Sequence, residues 1–188
     1  MRHGATEWSV AGKHTGRTDL PLSPLGIAQA EDIRARVRSV IPPHEACATW
    51  SSPLQRARVT AELIMGTDVC RVDDRLREFD YGEYEGRTTA EIRKEVPGWT
   101  IWDGCPGGET VADVERRVDS FLADVRSEPV GVAVLFAHGH LLRILAARSI
   151  AQPGDFGRRL ALDTASVSVV DEIRDGVAIT LWNEIGHD

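Results

Sequence analysis

The chain has 188 residues, of which 42% are hydrophobic and 27% charged; this is ordinary globular usage, long enough to bury a core unaided, with no low-complexity or repeated segment to argue for disorder. Its net charge of −7 repels nucleic acid, and no stripe of Lys and Arg overrides that field. No apolar run approaches a membrane span, no signal-like core opens the chain, and Cys47, Cys70 and Cys105 lack the paired spacing of a disulfide framework or zinc site, so one cytoplasmic domain over residues 1–188 is expected.

The chain opens with Met1-Arg2-His3-Gly4, polar where a first strand belongs. Residues 23–41 read as a helix capped by Ser23, with Pro24 in its first turn and Leu25, Ala28, Ile33, Val37 and Val40 near one face. Residues 45–50 form a short apolar run that reads as a buried strand, followed by a tight turn and a helix over 51–66 with a serine cap, an early proline and a closing Gly66. Residues 67–72 alternate as a second strand. The acidic, aromatic and glycine-punctuated stretch after them is a loop entering a helix near Thr88, and residues 97–110 are again irregular. From Glu109 onward, Val111, Val114, Val118, Phe121, Leu122 and Val125 mark an amphipathic helix. Residues 130–150 pass from an apolar strand to a helix through the turn His138-Gly139-His140. Residues 166–184 form a hairpin across Asp175-Gly176. Strands alternating with helices imply a three-layer α/β/α sandwich with a mostly parallel central sheet and an antiparallel edge strand.

Ligands of such folds lie beyond the carboxyl ends of the strands, and the polar residues cluster there. Arg2 and His3 open the chain, Arg56 and Arg58 follow the first internal strand, Glu78 follows the next, and His138 ends the last parallel one. Arginines offer a planar fork of donors that fits an oxyanion, and a neutral histidine can attack phosphorus while a second holds the equatorial charge. A carboxylic acid beside them would protonate the departing oxygen. Composition leaves the acid open among Glu78, Asp80, Glu83 and Glu85. The i, i+2 pair His138 and His140 also fits a metal pair, but no third ligand with matching spacing accompanies it.

The segments "RHGATEW", "SSPLQRARVTA", "LREFDYGEYEG" and "FAHGH", in this order, resemble the signatures of the histidine phosphatase superfamily, also called phosphoglycerate mutase-like proteins. Within it they look like the sedoheptulose bisphosphatase branch and small bacterial acid phosphatases. The resemblance implies His3 as nucleophile, Arg2, Arg56 and His138 around the phosphoryl group, and Glu78 as proton donor with Glu83 as runner-up. It implies Thr15 and Gly16 as pocket residues, and Ser9 at the place of a phosphate-contacting asparagine, with a shorter reach. Gly139 would turn its N–H toward the phosphate at a helix start, and His140, with Arg143, would face the rest of the substrate or simply pack. Relatives carry a short apolar strand before the arginine, so a native strand upstream of Met1 is expected.

The expected activity is hydrolysis of a small phosphorylated metabolite, a sugar phosphate or bisphosphate, through a phosphohistidine and without metal or cofactor. The rivals are a cofactor-dependent phosphoglycerate mutase, disfavoured by the short connection after the acid loop, a non-catalytic phospho-ligand binding module and a metal-dependent hydrolase. A homodimer is the commonest assembly open to such a chain. Trp99 and Trp102 are assigned to the core, Cys105 is expected to be inert, and His14 and His187 carry no signal.

Overall fold

The protein is seen in a computed structural model that describes residues 1–66 and 70–186. Its elements in chain order are α1 (Glu7–Val10), α2 (Pro24–Val40), β1 (Cys47–Ser51), α3 (Gln55–Met65), β2 (Cys70–Val72), α4 (Thr89–Glu95), α5 (Val111–Ser127), β3 (Val132–Phe136), α6 (Gly139–Ser149), β4 (Val167–Ile173) and β5 (Gly176–Glu184). Strand β1 lies between β2 and β3, and all three run parallel. The expected strand at 67–72 is present from Cys70; its first three residues lie outside the described ones.

The chain start joins this sheet. Ala137 donates its N–H to Met1 O (3.0 Å) and His3 donates to Ala137 O (3.0 Å), while on the other side Arg2 donates to Ser166 O (3.2 Å) and Ala165 to His3 O (2.9 Å). Arg2 and His3 therefore sit at a strand end, wedged between β3 and the segment that enters β4. The β4–β5 hairpin is antiparallel, as its pattern predicts. Its register pairs Ile173 with Gly176, so the turn residues are Arg174 and Asp175, and Gly176 supplies the positive φ of +137° one place later than an Asp-Gly turn would.

Two apolar cores cover the two faces of the sheet. On one, Ala30, Ile33 and Val37 of α2 meet Ala61 and Ile64 of α3 over Val134 and Phe136. The buried stripe of α2 is Gly26, Ala30, Ile33 and Val37, whereas Leu25 and Ala28, expected on that face, are exposed. On the other face Val114, Val118, Phe121 and Leu122 of α5 and Leu141, Ile144 and Leu145 of α6 pack with Trp50 and Phe79. The layers are thus α2 and α3, the sheet, then α5 and α6. Trp99 belongs to the second core, and Trp102 packs against it only in part.

Local chemistry sets several boundaries. Thr88 and Thr110 cap α4 and α5 through reciprocal capping boxes with Glu91 and Asp113. Helix α3 departs from expectation: its N-cap is Leu54, with no side-chain cap, and the nearby Ser52 hydroxyl is drawn toward His138 instead. Gly66 ends α3 at φ +99°. The four-residue α1, unforeseen in the sequence, is held by a capping box between Thr6 and Ser9.

Candidate active site

The floor of the site is made where strand ends meet helix starts. Gly4 and Ala5 fix the turn after His3: Gly4 N–H donates to Thr60 Oγ1 (3.1 Å), Ala5 N–H to Gln29 Oε1 (3.0 Å), and the Ser23 N–H and hydroxyl both donate to Ala5 O. A Cβ at Gly4 would stand 2.3 Å from Gly26 O, so glycine is what lets this turn touch the start of α2. His3, 5% exposed, donates Nδ1–H to Gly4 O at 2.7 Å. That bond puts the proton on Nδ1 and leaves Nε2 with its lone pair. Burial, then Arg56 and Arg2, push the His3 pKa well below 6.5, so the imidazole is neutral.

Beneath it lie Arg56 and His138, both fully buried. Arg56 donates to Thr18 O (2.8 Å), Thr15 O (3.0 Å) and Gly16 O (3.0 Å), and its Nε–H donates to His138 Nδ1 (3.2 Å). His138 therefore carries its proton on Nε2, 2.8 Å from Ser52 Oγ. Its ring centroid is 5.1 Å from that of His3. Burial, together with Arg56, pushes the His138 pKa well below 6.5 as well. The Arg2 guanidinium bonds Leu162 O through Nη1, while its buried Nε has no hydrogen-bond partner among the described residues. A buried cationic donor left in this state favours an anion beside it.

The opposite wall carries Glu78, 8% exposed. Its Oε1 accepts from Phe79 N–H (2.9 Å) and Leu141 N–H (2.9 Å), and Oε2 accepts from His140 N–H (3.1 Å). The carboxyl thus sits on the first turn of α6. Glu83 is exposed, Glu85 is bound to the N–H groups of Gly16 and Thr18, and Asp80 pairs with Arg17 at 2.6 Å.

Arg2, His3 and Glu78 line one cleft of about 190 Å³ together with Lys13, His140 and Arg143. Tyr81 also lines it, its hydroxyl 2.7 Å from and hydrogen-bonded to His140 Nδ1; burial pushes the Tyr81 pKa well above 10, so the phenol keeps its proton. Arg143 bonds Gly157 O and stacks over Trp102, its Cζ 5.0 Å from the ring centroid. Among the described residues no group of three or more His, Cys, Asp or Glu is placed to hold a metal ion. No helix among them is long and apolar enough to cross a membrane.

His3, Arg2 and Glu78 thus converge on one cleft, with Arg56 and His138 packed beneath His3. Ser9, Thr15, Gly139 and His140 also line that cleft. The Ser9 hydroxyl is engaged by Thr6, to whose carbonyl it donates (3.0 Å) and from whose N–H it accepts (2.8 Å). Gly16 contributes its carbonyl to Arg56 and lines a neighbouring cleft. At Gly139 a Cβ would come within 3.4 Å of the Arg2 guanidinium. Arg58 is exposed beside Glu62. Cys105 is buried and its thiol pushed up to about 12, while His187 lies outside the described residues. Sequence reasoning passed over Ser52, Tyr81 and Lys13; the serine before the proline of "SSPL" was legible only as a helix cap, and nothing in the spacing tied Tyr81 to His140.

Buried donors around one cleft, an unprotonated histidine and a facing carboxyl define a phosphoryl-transfer type of α/β pocket. Residues 1–185 match the family model of the histidine phosphatase superfamily, branch 1. The chain is 39% identical over 171 residues to the acid phosphatase of Mycobacterium tuberculosis, covering 90% of this chain and 83% of that protein. It is 39% identical over 177 residues to sedoheptulose 1,7-bisphosphatase of Saccharomyces cerevisiae, covering 78% and 65%. The solved structure of open reading frame Rv3214 from Mycobacterium tuberculosis superposes with a TM-score of 0.91 at 34% identity, covering 99% of this chain and 96% of that one. The chain belongs to the histidine phosphatase superfamily and is an enzyme of its phosphatase type.

Proposed function

We propose that the enzyme hydrolyses a small phosphorylated metabolite, a sugar phosphate or bisphosphate, through a phosphohistidine on His3. The observation that carries the reading is a neutral His3 whose Nε2 makes no hydrogen bond among the described residues, standing in one cleft with Arg2, whose Nε–H lacks a partner among them, and the Glu78 carboxyl. Nε2 attacks phosphorus as the ester P–O bond breaks; the electron pair leaves on the alkoxide oxygen, which takes a proton from Glu78. Water then attacks the phosphohistidine, Glu78 takes its proton, the P–N pair returns to Nε2 and inorganic phosphate departs. Arg2, with Arg56 and His138 behind His3, holds the transferred charge.

Among the charged residues of the cleft, Arg2, Lys13 and Arg143 face the single carboxylate of Glu78. That excess supports a substrate with a second anionic group, as does the likeness to the yeast bisphosphatase. The reading requires neither metal nor organic cofactor.

The test is a screen of phosphorylated metabolites in chelator, with His3→Ala as control. Turnover in the parent enzyme, its loss in the variant and a phosphoryl group trapped on His3 after an alkaline quench are expected. Phosphate binding without any phosphohistidine would overturn the reading in favour of a binding module. Interconversion of 3- and 2-phosphoglycerate outrunning hydrolysis would assign a mutase.

A further inference from the structure

We infer that Arg117 on α5 is the positioning residue that aims the Glu78 carboxyl at the leaving group; the inference rests on the acid role proposed for Glu78. Residues 73–86 contain only short 3₁₀ turns, at Asp74–Leu76 and Gly82–Tyr84. Among the described residues, backbone N–H groups serve its carbonyls at Asp73, Asp74, Asp80, Tyr81, Gly82 and Tyr84, whereas those of Arg75, Arg77 and Glu78 need side-chain partners. Arg117 supplies them. Nη1 donates to Arg75 O (2.7 Å) and Arg77 O (2.7 Å), Nη2 to Glu78 O (3.2 Å) and Glu109 Oε2 (3.0 Å), and Nε to Glu109 Oε1 (2.8 Å).

All five donors of the guanidinium are used, three of them on consecutive turns of the acid loop. The side chain is 17% exposed. Glu109 closes the arrangement, because its Oε2 also accepts Asp80 N–H (2.9 Å) while its own N–H donates to Asp80 O (2.9 Å). Glu78 is consequently gripped at both ends, by α6 through its carboxyl and by α5 through its carbonyl. A lysine offers three donors from one point and cannot reproduce this fork. Arg117 does not line the cleft that holds Arg2 and His3; with Glu78 and Glu109 it lines a neighbouring cleft of about 150 Å³.

The test compares kcat/KM for two substrates, since this constant reports phosphoryl transfer to His3 and the release of the leaving group. 2,4-Dinitrophenyl phosphate has a leaving group that needs no acid, whereas an alkyl phosphate needs one. In Arg117→Ala the alkyl substrate should lose roughly 10- to 100-fold while the dinitrophenyl substrate stays within about threefold, a part of the 10²–10⁴ that general acids contribute. Guanidinium ion added to Arg117→Ala should recover part of the alkyl rate, and Arg117→Lys should show the same selective loss where the alanine variant fails to fold. Equal losses on both substrates, or no loss on either, would overturn the inference. Glu78→Gln separates the two levels: if it too hits both substrates equally, the acid role itself falls, and if it is selective while the Arg117 variants are not, only the positioning role falls.

Discussion

The two sides of the cleft are built on opposite plans. On the floor, Arg56 and His138 are fully buried in a rigid junction of strand ends and helix starts, and no carboxylate pairs with Arg56; its charge is solvated by three carbonyls and an imidazole. On the wall, Glu78 rides on an irregular loop whose shape is borrowed from α5 and α6 through side chains. A buried, preformed floor suits the holding of charge, since fixed dipoles in a water-poor site act strongly on a phosphoryl group. In the proposed reaction the wall has a different task, to give and take a proton, and Glu78 lies nearer solvent than Arg56 and His138.

The contrast predicts that damage to the floor costs fold and chemistry together, whereas damage to the wall costs chemistry alone. Arg56→Ala should be the most severe change: it strands the carbonyls of Thr15, Gly16 and Thr18 and removes the charge that the proposed reaction places behind His3. We expect a stability loss of about 3 kcal/mol or more and a fall in kcat/KM of roughly 10²- to 10³-fold. Urea unfolding and turnover measured on one preparation check both. A fully stable Arg56→Ala protein would break the contrast at its base.

Next in size is Glu78→Gln, isosteric and able to keep one oxygen on the α6 N–H groups. Its melting temperature should hardly move, while alkyl phosphate turnover falls roughly 10²- to 10⁴-fold. Destabilisation as large as that of Arg56→Ala would make the wall as structural as the floor.

The floor was largely legible because its residues occupy the ends of regular elements. Arg56 and His138 each follow a strand whose apolar pattern and boundary can be read, and the rule placing ligands at carboxyl ends gathers them; Arg2, with only Met1 before it, is tied to them by the family motif alone. The layering and the β4–β5 hairpin follow from periodicity for the same reason. The wall was not legible beyond the family motif, because Arg117 joins the loop across about forty residues of sequence by bonds to carbonyl groups, which leave no mark on residue identity. The serine cap expected for α3 is absent for a related reason: a serine before a proline looks the same whether it caps a helix or, as Ser52 does, bonds a distant histidine. Helix α1 is too short to show a period.

Acid titration sharpens the contrast at smaller scale. The pKa values of His3 and His138 lie well below 6.5 in the folded protein. Between 6.5 and those lower values the unfolded chain binds protons that the folded chain refuses. The contribution of these two imidazoles is therefore complete above pH 6.5 and declines below it, by up to about 1.4 kcal/mol per pH unit for each; His14 and His140, also held low by burial, add to the slope, and the buried Met1 amino group, lowered to about 5, extends it upward toward pH 8. Urea midpoints from pH 7.5 to 5 check this, and His138→Asn should flatten the slope by one histidine's share. Vanadate in the cleft favours the protonated imidazoles and should flatten it further; an unliganded protein with no slope would mean that the floor is wet.

The smallest effect concerns Ser9, which lines the cleft yet spends its hydroxyl on Thr6. If the hydroxyl serves the α1 capping box, Ser9→Ala should cost about 1 kcal/mol of stability and leave kcat/KM within about twofold. If instead it swings to the phosphoryl group when substrate binds, KM should rise with little change in melting temperature. The first outcome makes α1 a brace for the turn that carries His3, part of the rigid floor. The second moves Ser9 to the substrate and shows that the floor, too, has one group free to follow its ligand.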